Sequence, residues 1–379
     1  MLSAGEIAAA VRSGEASAEE ITREHLARIE EHRDLNAFVT VDAEGAIAAA
    51  RCVDTALPLA GVPLVVKDLF DVAGLPATYG SPLFRDHMPT TTASSVQRLV
   101  NAGCVILGKA NLHEFAWGVV SRNRTYGFVV NPRLRDRIAG GSSGGNAAAL
   151  AVGIGALGLG TDTGGSIRIP AAACGVAGYK TSVGLVPTDG VWPLTPSCDT
   201  VGPMARSMAD CALMLSVLAE LPVPAPHLDG LRIGDASLIP DIGDLLRLQY
   251  SEIADVHRDL FAANPDAYDP ELRWKMANAL SVDASELPGL QSELVAWKAR
   301  CEREIDVDVI VSPTIPGDLP LATDELTPAL NERLTRHTRP FNLLGWPSAT
   351  CVDGTMISGR EDALVLGAAL AWEQNLHRQ

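Results

Sequence analysis

Two segments of this chain, GGSSGG (140–145) and GTDTGGSIR (160–168), each set a serine behind paired glycines, which places Ser142 and Ser166 24 residues apart. A serine hydroxyl is a weak nucleophile and needs a base within hydrogen-bond reach. No histidine lies near either segment, and Ser–Lys systems are the known substitute. The chain carries only 5 lysines (Lys67, Lys109, Lys180, Lys275 and Lys298) against 25 arginines, and only an amine can lose its proton inside a protein. Lys67 ends the apolar run Val62–Val66, where desolvation lowers an amine's pKa. An ordinary lysine titrates near ~10.4, so being largely neutral at pH 7 requires a fall of about three units. Asp68 opposes that fall unless its side chain leaves on the other face of a strand. At the second segment, the successive amides from Thr163 to Ser166 can form a nest of N–H donors beside the Ser166 hydroxyl, because glycine permits the dihedrals of such a turn. The alternative for the same residues is a buried lysine ion pair and two tight turns.

Other motifs fail in their context. Gly140-x-Ser142-x-Gly144 and Gly141-x-Ser143-x-Gly145 both fit the nucleophile elbow of α/β-hydrolases, which needs a strong strand in front. Arg133–Ala139 is a charged, turn-like stretch instead, and His227, His257, His337 and His377 lie in acidic or helical surroundings. Gly153-x-Gly155-x-x-Gly158 matches a dinucleotide fingerprint but follows the helix-like AAALAVG. Gly103-x-x-x-x-Gly108-Lys109 resembles a phosphate loop, yet Ala110 stands where magnesium needs Ser or Thr. His113 in NLHEF reads as a helix-terminal or partly buried histidine. The seven cysteines (52, 104, 174, 198, 211, 301 and 351) show neither a CxxC pair nor zinc-site spacing. They read as small buried residues in a reducing compartment, and no metal site is expected.

The elements that must position these residues follow from pattern. With 47% hydrophobic and 20% charged residues over 379 positions, the chain is globular rather than disordered. Its formal net charge of -16 disfavours direct nucleic-acid binding. The N-terminus lacks the basic-then-apolar pattern of a signal peptide, and Ala147–Leu159 is too short to span a bilayer, so a cytoplasmic protein without membrane contact is expected. Residues 1–60 read as N-terminal helices, with capping boxes at Ser3-x-x-Glu6 and Ser17-x-x-Glu20. Residues 61–220 read as the catalytic core, where β-branched runs (Val62–Val66, Val105–Leu107) alternate with helical stretches such as Ala93–Ala102, ending at the helix-like Met208–Leu221. That alternation predicts an α/β fold with a mixed or parallel sheet under helices. Beyond the break at Pro222–Pro226, residues 222–305 read as an acidic helical cover. Residues 306–379 return to the sheet through Asp308–Ser312 with Pro313 and end on a helix over Ala363–Gln374.

The run AGGSSGGNAAALAVGIGALGLGTDTGGSIRIPAAACGVAGYKTSVGLVP (139–187), with AGVPLVVKD (60–68), GKANLHEFAWG (108–118) and VGPMARSMADCALML (201–215), resembles the amidase signature family. The likeness returns at VIVSPT (309–314), PFNLLGWPS (340–348) and ISGREDALVLGAALAWE (357–373). It implies a single α/β/α domain with a central mixed β-sheet covered by helices, and a cofactor-free mechanism. It also implies Ser166 as nucleophile, Ser142 as a relay serine preceded by a cis peptide, Lys67 as general base, and the amides of Thr163, Gly164, Gly165 and Ser166 as the oxyanion hole. The chain is shorter than usual for the family after LRIGDAS (231–237) and between Cys351 and Met356. The expected activity is hydrolysis of a linear amide (small acyl, aryl or urea-like) through an acyl-enzyme, with a small-molecule amide as partner and a homodimer left open. The second reading is the glutamine-hydrolysing subunit of a tRNA-dependent amidotransferase, to which GKANLHEFAWG and SIRIPAAACG are also similar; the shortened second half argues against it. A third is a non-catalytic binding protein on the same fold, against which the retention of all three relay residues speaks.

Overall fold

The computed structural model describes residues 1–376. Its strands are β1 (Phe38–Val41), β2 (Pro63–Lys67), β3 (Val105–Ala110), β4 (Arg122–Asn123), β5 (Gly127–Phe128), β6 (Leu157–Asp162), β7 (Ala177–Lys180), β8 (Thr200–Ala205), β9 (Ile233–Gly234), β10 (Val309–Pro313), β11 (Ser348–Thr350) and β12 (Thr355–Gly359). Ten of them form one sheet in the order β1-β3-β2-β6-β8-β7-β11-β12-β10-β9, while β4 and β5 make a separate hairpin. β2 runs parallel to both β3 and β6. Its five residues are all buried, which is why PLVVK reads as a continuous apolar run rather than an alternating one. From β6 to β10 the neighbours are antiparallel, and the fold is the mixed α/β sheet expected from sequence.

Helices cover both faces. At β7, Gly178 faces the helix Arg168–Cys174, since a Cβ there would meet Ala171, while Tyr179 points the opposite way and donates to the Asp362 carbonyl at the start of the helix Asp362–Leu376. The two N-terminal capping boxes are formed, at Ser3 with Glu6 and at Ser17 with Glu20. The expected helices over 93–102 and 208–221 are Ser94–Asn101 and Met208–Leu218. Residues 222–305 hold the helices Leu246–Ala263, Pro270–Leu280 and Leu287–Glu304. They are tied to the rest by an apolar cluster in which Leu272 and Met276 pack with Leu112 and Phe115.

Three details depart from the sequence reading. β1 interrupts the helical N-terminal section and pairs antiparallel with β3, and the two-residue β9 pairs with β10 from within the section read as helical. Cys52, at the end of the helix Ala43–Arg51, is exposed, whereas the other six cysteines are buried as expected. No helix among the described residues is long and apolar enough to cross a membrane.

Candidate active site

β2 and β6 are parallel neighbours with Val66 beside Leu159, so their carboxyl ends, Lys67 and Asp162, emerge at the same edge of the sheet. Ligand sites of open α/β sheets lie at such an edge. Lys67 is fully buried, and its Nζ lies 2.7 Å from Ser142 Oγ and 2.7 Å from Thr161 Oγ1, hydrogen-bonded to both. Burial lowers its pKa to about 7, against the opposing pull of the Asp162 and Asp199 carboxylates. Asp68 takes no part, because it turns to Lys109, whose Nζ donates to Asp68 Oδ1 at 2.8 Å. An ion-paired Lys67 is therefore not what the fold makes.

The Ser142 turn precedes the helix Gly144–Ala151, and the Gly141–Ser142 peptide is cis. No strand leads into it, so the elbow geometry is absent here. Gly145 presses on two carbonyls: a Cβ would stand 2.4 Å from Asn111 O and 2.5 Å from Ala37 O, which only glycine avoids. The Ser143 N–H donates to Ser166 O at 3.1 Å, joining the two serine turns directly.

The Ser166 turn is built around Asp162. Its carboxylate accepts from Gly165 N at 2.8 Å and Ile167 N at 3.1 Å, and from Arg168 Nε at 3.0 Å and Nη2 at 2.8 Å. Burial pushes the Asp162 carboxyl up, but Arg168, with help from Asn342 and Lys180, outweighs this and holds it well below the ordinary carboxylate range. Arg168 in turn reaches Thr338 O at 2.9 Å and Asn342 Oδ1 at 2.7 Å. The consequence for the expected nest is specific. Gly165 N–H is committed to Asp162, while the amides of Thr163, Gly164 and Ser166 have no protein acceptor among the described residues. The Ser166 hydroxyl likewise makes no hydrogen bond among the described residues, including none to Ser142, and it lines a cavity of about 840 Å³.

One wall of that cavity comes from the helical section, through Ile239, Leu246, Gln249 and Tyr250, another from Trp117 and Val119, and a third from residues 328–341. Sequence reasoning missed Thr161, Asp162, Arg168, Thr338 and Asn342. Asp162 and Arg168 carried a signal, as charges in a stretch with few of them. Thr161, Thr338 and Asn342 carried none, since their partners are fixed by strand register and by contacts across 174 positions of chain. Of the histidines set aside, His113 is buried with Nε2 3.5 Å from Glu271. His257 is buried against Phe115 with Nδ1 3.0 Å from Tyr268 Oη, and His337 Nδ1 lies 2.7 Å from Pro313 O. His377 lies outside the described residues.

The chain is similar to known proteins over most of its length. The chain is 40% identical over 286 residues to a Glutamyl-tRNA(Gln) amidotransferase subunit of Acidothermus cellulolyticus, covering 73% of this chain and 55% of that protein. It is 45% identical over 218 residues to the corresponding amidotransferase subunit from Acidobacterium capsulatum, covering 55% of this chain and 46% of that one. The chain thus spans about half the length of the curated relatives it matches. Among solved structures, it superposes on one described as an amidase with a TM-score of 0.91 at 29% identity, over 99% of this chain and 100% of that one. A chain from a structure described as a vestigial protein complex that reveals the evolutionary origins of an s-triazine catabolic enzyme matches with a TM-score of 0.91 at 28% identity over 99% and 98% of the two chains. The sequence profile of the family described as Amidase matches residues 20–224, more than half of the chain, and the protein belongs to that family.

Proposed function

We propose that this protein hydrolyses a linear carboxylic amide through an acyl-enzyme on Ser166, with Lys67 as general base and Ser142 as relay. The observation that carries the reading is the meeting of a lysine whose pKa is lowered to about 7 with Ser142 Oγ at 2.7 Å, beside a serine that faces a cavity under unpaired amides. The Ser166 proton passes through Ser142 to Lys67 as Ser166 Oγ bonds to the amide carbon. The oxyanion is held by the N–H groups of Thr163, Gly164 and Ser166, not Gly165. Collapse breaks the C–N bond, with the proton returning through Ser142 to the leaving nitrogen, and water then releases the acid. The Ser142–Ser166 hydrogen bond forms with substrate present, when catalytic contacts of this kind commonly tighten.

A second reading, the glutamine-hydrolysing subunit of a tRNA-dependent amidotransferase, is favoured by the names of the curated relatives. A free-standing amidase is favoured by the end-to-end superposition on a solved amidase. Both share the Ser166 step. Fluorophosphonate labelling of the native protein and of Ser166→Ala tests that step: a Ser166-dependent adduct is expected, and its absence in the folded native protein removes the hydrolase reading. Assay of ammonia from glutamine and from simple amides then separates the two.

A further inference from the structure

Asp199, in the turn before β8, is a carboxylate beside the Ser166 turn with no cation of its own. Its Oδ1 accepts from Thr163 Oγ1 at 2.5 Å and Thr195 N at 3.1 Å, and its Oδ2 accepts from Leu194 N at 2.9 Å. All three partners are donors, the set that suits a carboxylate rather than a carboxylic acid. Burial pushes the carboxyl up, and these donors pull against it. No lysine, arginine or histidine among the described residues lies within ion-pair distance of Asp199. Asp162 differs, since Arg168 pairs with it at 2.8 Å.

Two parts of the site meet at this side chain. Thr163 opens the turn whose free amides are proposed to hold the oxyanion, and its hydroxyl is tied to Asp199 while its carbonyl accepts from Gln249 Nε2 at 3.4 Å. Leu194 and Thr195, held by the same carboxylate, line the cavity together with Thr163 and Ser166. Thr161 and Thr163, two residues apart at the end of β6, hold Lys67 and Asp199 respectively. A gap of about 10 Å³ lined by Thr161, Thr163 and Asp199 has room for one water at most. A charge acting across so dry a space is little screened, and the Asp199 carboxylate does act on Lys67, after that of Asp162. The other groups that face the pair leave this charge standing. Asp162 is offset by Arg168, the Cys198 thiol is held neutral by burial, and Glu252, on the helix Leu246–Ala263, is a further anion bound to Ser197 N at 2.9 Å.

Acylation of Ser166 leaves Lys67 as an ammonium in a buried site, and a desolvated cation is costly without a counter-charge. We propose that Asp199 is a positioning residue of this reaction, acting through two others: it fixes the Thr163 end of the oxyanion turn, and it supplies the counter-charge for the ammonium formed at Lys67. The inference rests on the acyl-enzyme reading and adds a fourth side chain to it.

The test follows the rate at which a fluorophosphonate attaches to Ser166 from about pH 5 to about pH 9, which needs no knowledge of the natural amide. In the native protein the rate is expected to rise through about pH 7 to a plateau. Asp199→Asn removes an anion that favours the protonated amine, so the midpoint should move to lower pH by about one unit. Its plateau should fall about tenfold, the same unit read as a rate. Thr163→Val leaves the carboxylate on its own turn. There the plateau should fall about tenfold, less than the 10²–10³-fold for deleting a donor outright, with the midpoint unmoved. An unmoved or raised midpoint in a folded Asp199→Asn overturns the inference, because a side chain that merely caps its turn would lower the plateau and leave the midpoint in place. Labelling of Thr163→Val at the native rate also overturns it, as does an equal midpoint shift in both variants. No labelling of the native protein at any pH overturns instead the acyl-enzyme reading beneath it.

Discussion

Four of the five lysines are buried, and they differ in what they touch. Lys109 and Lys275 sit on carboxylates, and Lys180 donates to the carbonyls of Thr181 and Trp346. Lys67 alone among them is held by two hydroxyls, the partners a proton-accepting amine needs. As general base it must be neutral, so kcat/KM should rise through its pKa of about 7 and level off above it. Lys67→Arg, whose charge is fixed, should lose at least about 10²-fold, the scale of general-base catalysis. Retained turnover in that variant would point to another base. The contribution of Lys67 to stability should also rise with pH. The folded pKa lies below that of the unfolded chain, so folding pays to desolvate or deprotonate the amine. That cost is full below about pH 7, shrinks as pH rises, and is gone above ~10.4. Lys67→Met should therefore be inactive yet stabilised, by ~2–4 kcal/mol at pH 6 after subtracting its lost hydrogen bonds, with the gain fading toward pH 10. Thermal melts at the two pH values check this, and an equal or larger gain at pH 10 would contradict it. Lys67 was legible in sequence because it is rare and ends an apolar run. Asp199 was not, because its bond to Thr163 spans 36 positions of chain.

At the scale of elements, the turn from β6 into the helix Arg168–Cys174 depends on one carboxylate and one glycine. Asp162→Asn leaves the fully buried Arg168 guanidinium without its charge partner, a change that costs about 3–5 kcal/mol. Chemical denaturation should show that loss, and a loss under about 1 kcal/mol would mean Arg168 finds another partner. Gly165 has φ 128°, and a Cβ there would stand 2.5 Å from Thr338 Oγ1 and 2.6 Å from Ile169 Cδ1. Gly165→Ala should lose ~1–3 kcal/mol to strain. By displacing the neighbouring donors it should also lower kcat by about 10²–10³-fold. Burst kinetics of acylation would read the second effect, and an unchanged acylation rate would separate the nest from this glycine. The paired glycines made the turn visible in sequence, but not that Gly165's own amide is taken by Asp162, because that carboxylate folds back three residues. β2, β3 and β10 were legible from β-branched runs, and the N-terminal helices from their capping boxes. β1 and β9 escaped because four half-exposed residues and two residues, respectively, carry too little pattern, and only pairing with β3 and β10 makes them strands.

At the scale of the whole molecule, the question is whether this chain works by itself. The curated relatives it resembles are each described as one subunit of an amidotransferase, and the chain spans about half their length. The cavity walls, however, come from widely separated parts of this same chain. Gln249 and Tyr250 come from the helical section and Lys275 from the next helix, while Arg339 precedes the strand pair β11–β12. The helical section is also anchored at the site: Asp269 N donates to Glu114 Oε2 at 2.9 Å, and Met276, fully buried, packs with Phe115. An enclosure assembled from one chain needs no second chain to complete the walls of its cavity. The purified protein is therefore expected to turn over its amide alone, at a rate independent of its own concentration once corrected for enzyme. Met276→Ala should cost about 2–5 kcal/mol, as other buried Met truncations do, and should raise KM more than it lowers kcat by loosening the wall. If ammonia release from glutamine is barely measurable alone and rises at least about tenfold on adding a co-expressed partner, a coupling near 1.4 kcal/mol or more, the chain works as part of a complex instead. The wall that residues 222–305 build would then be a docking platform as well as a cover.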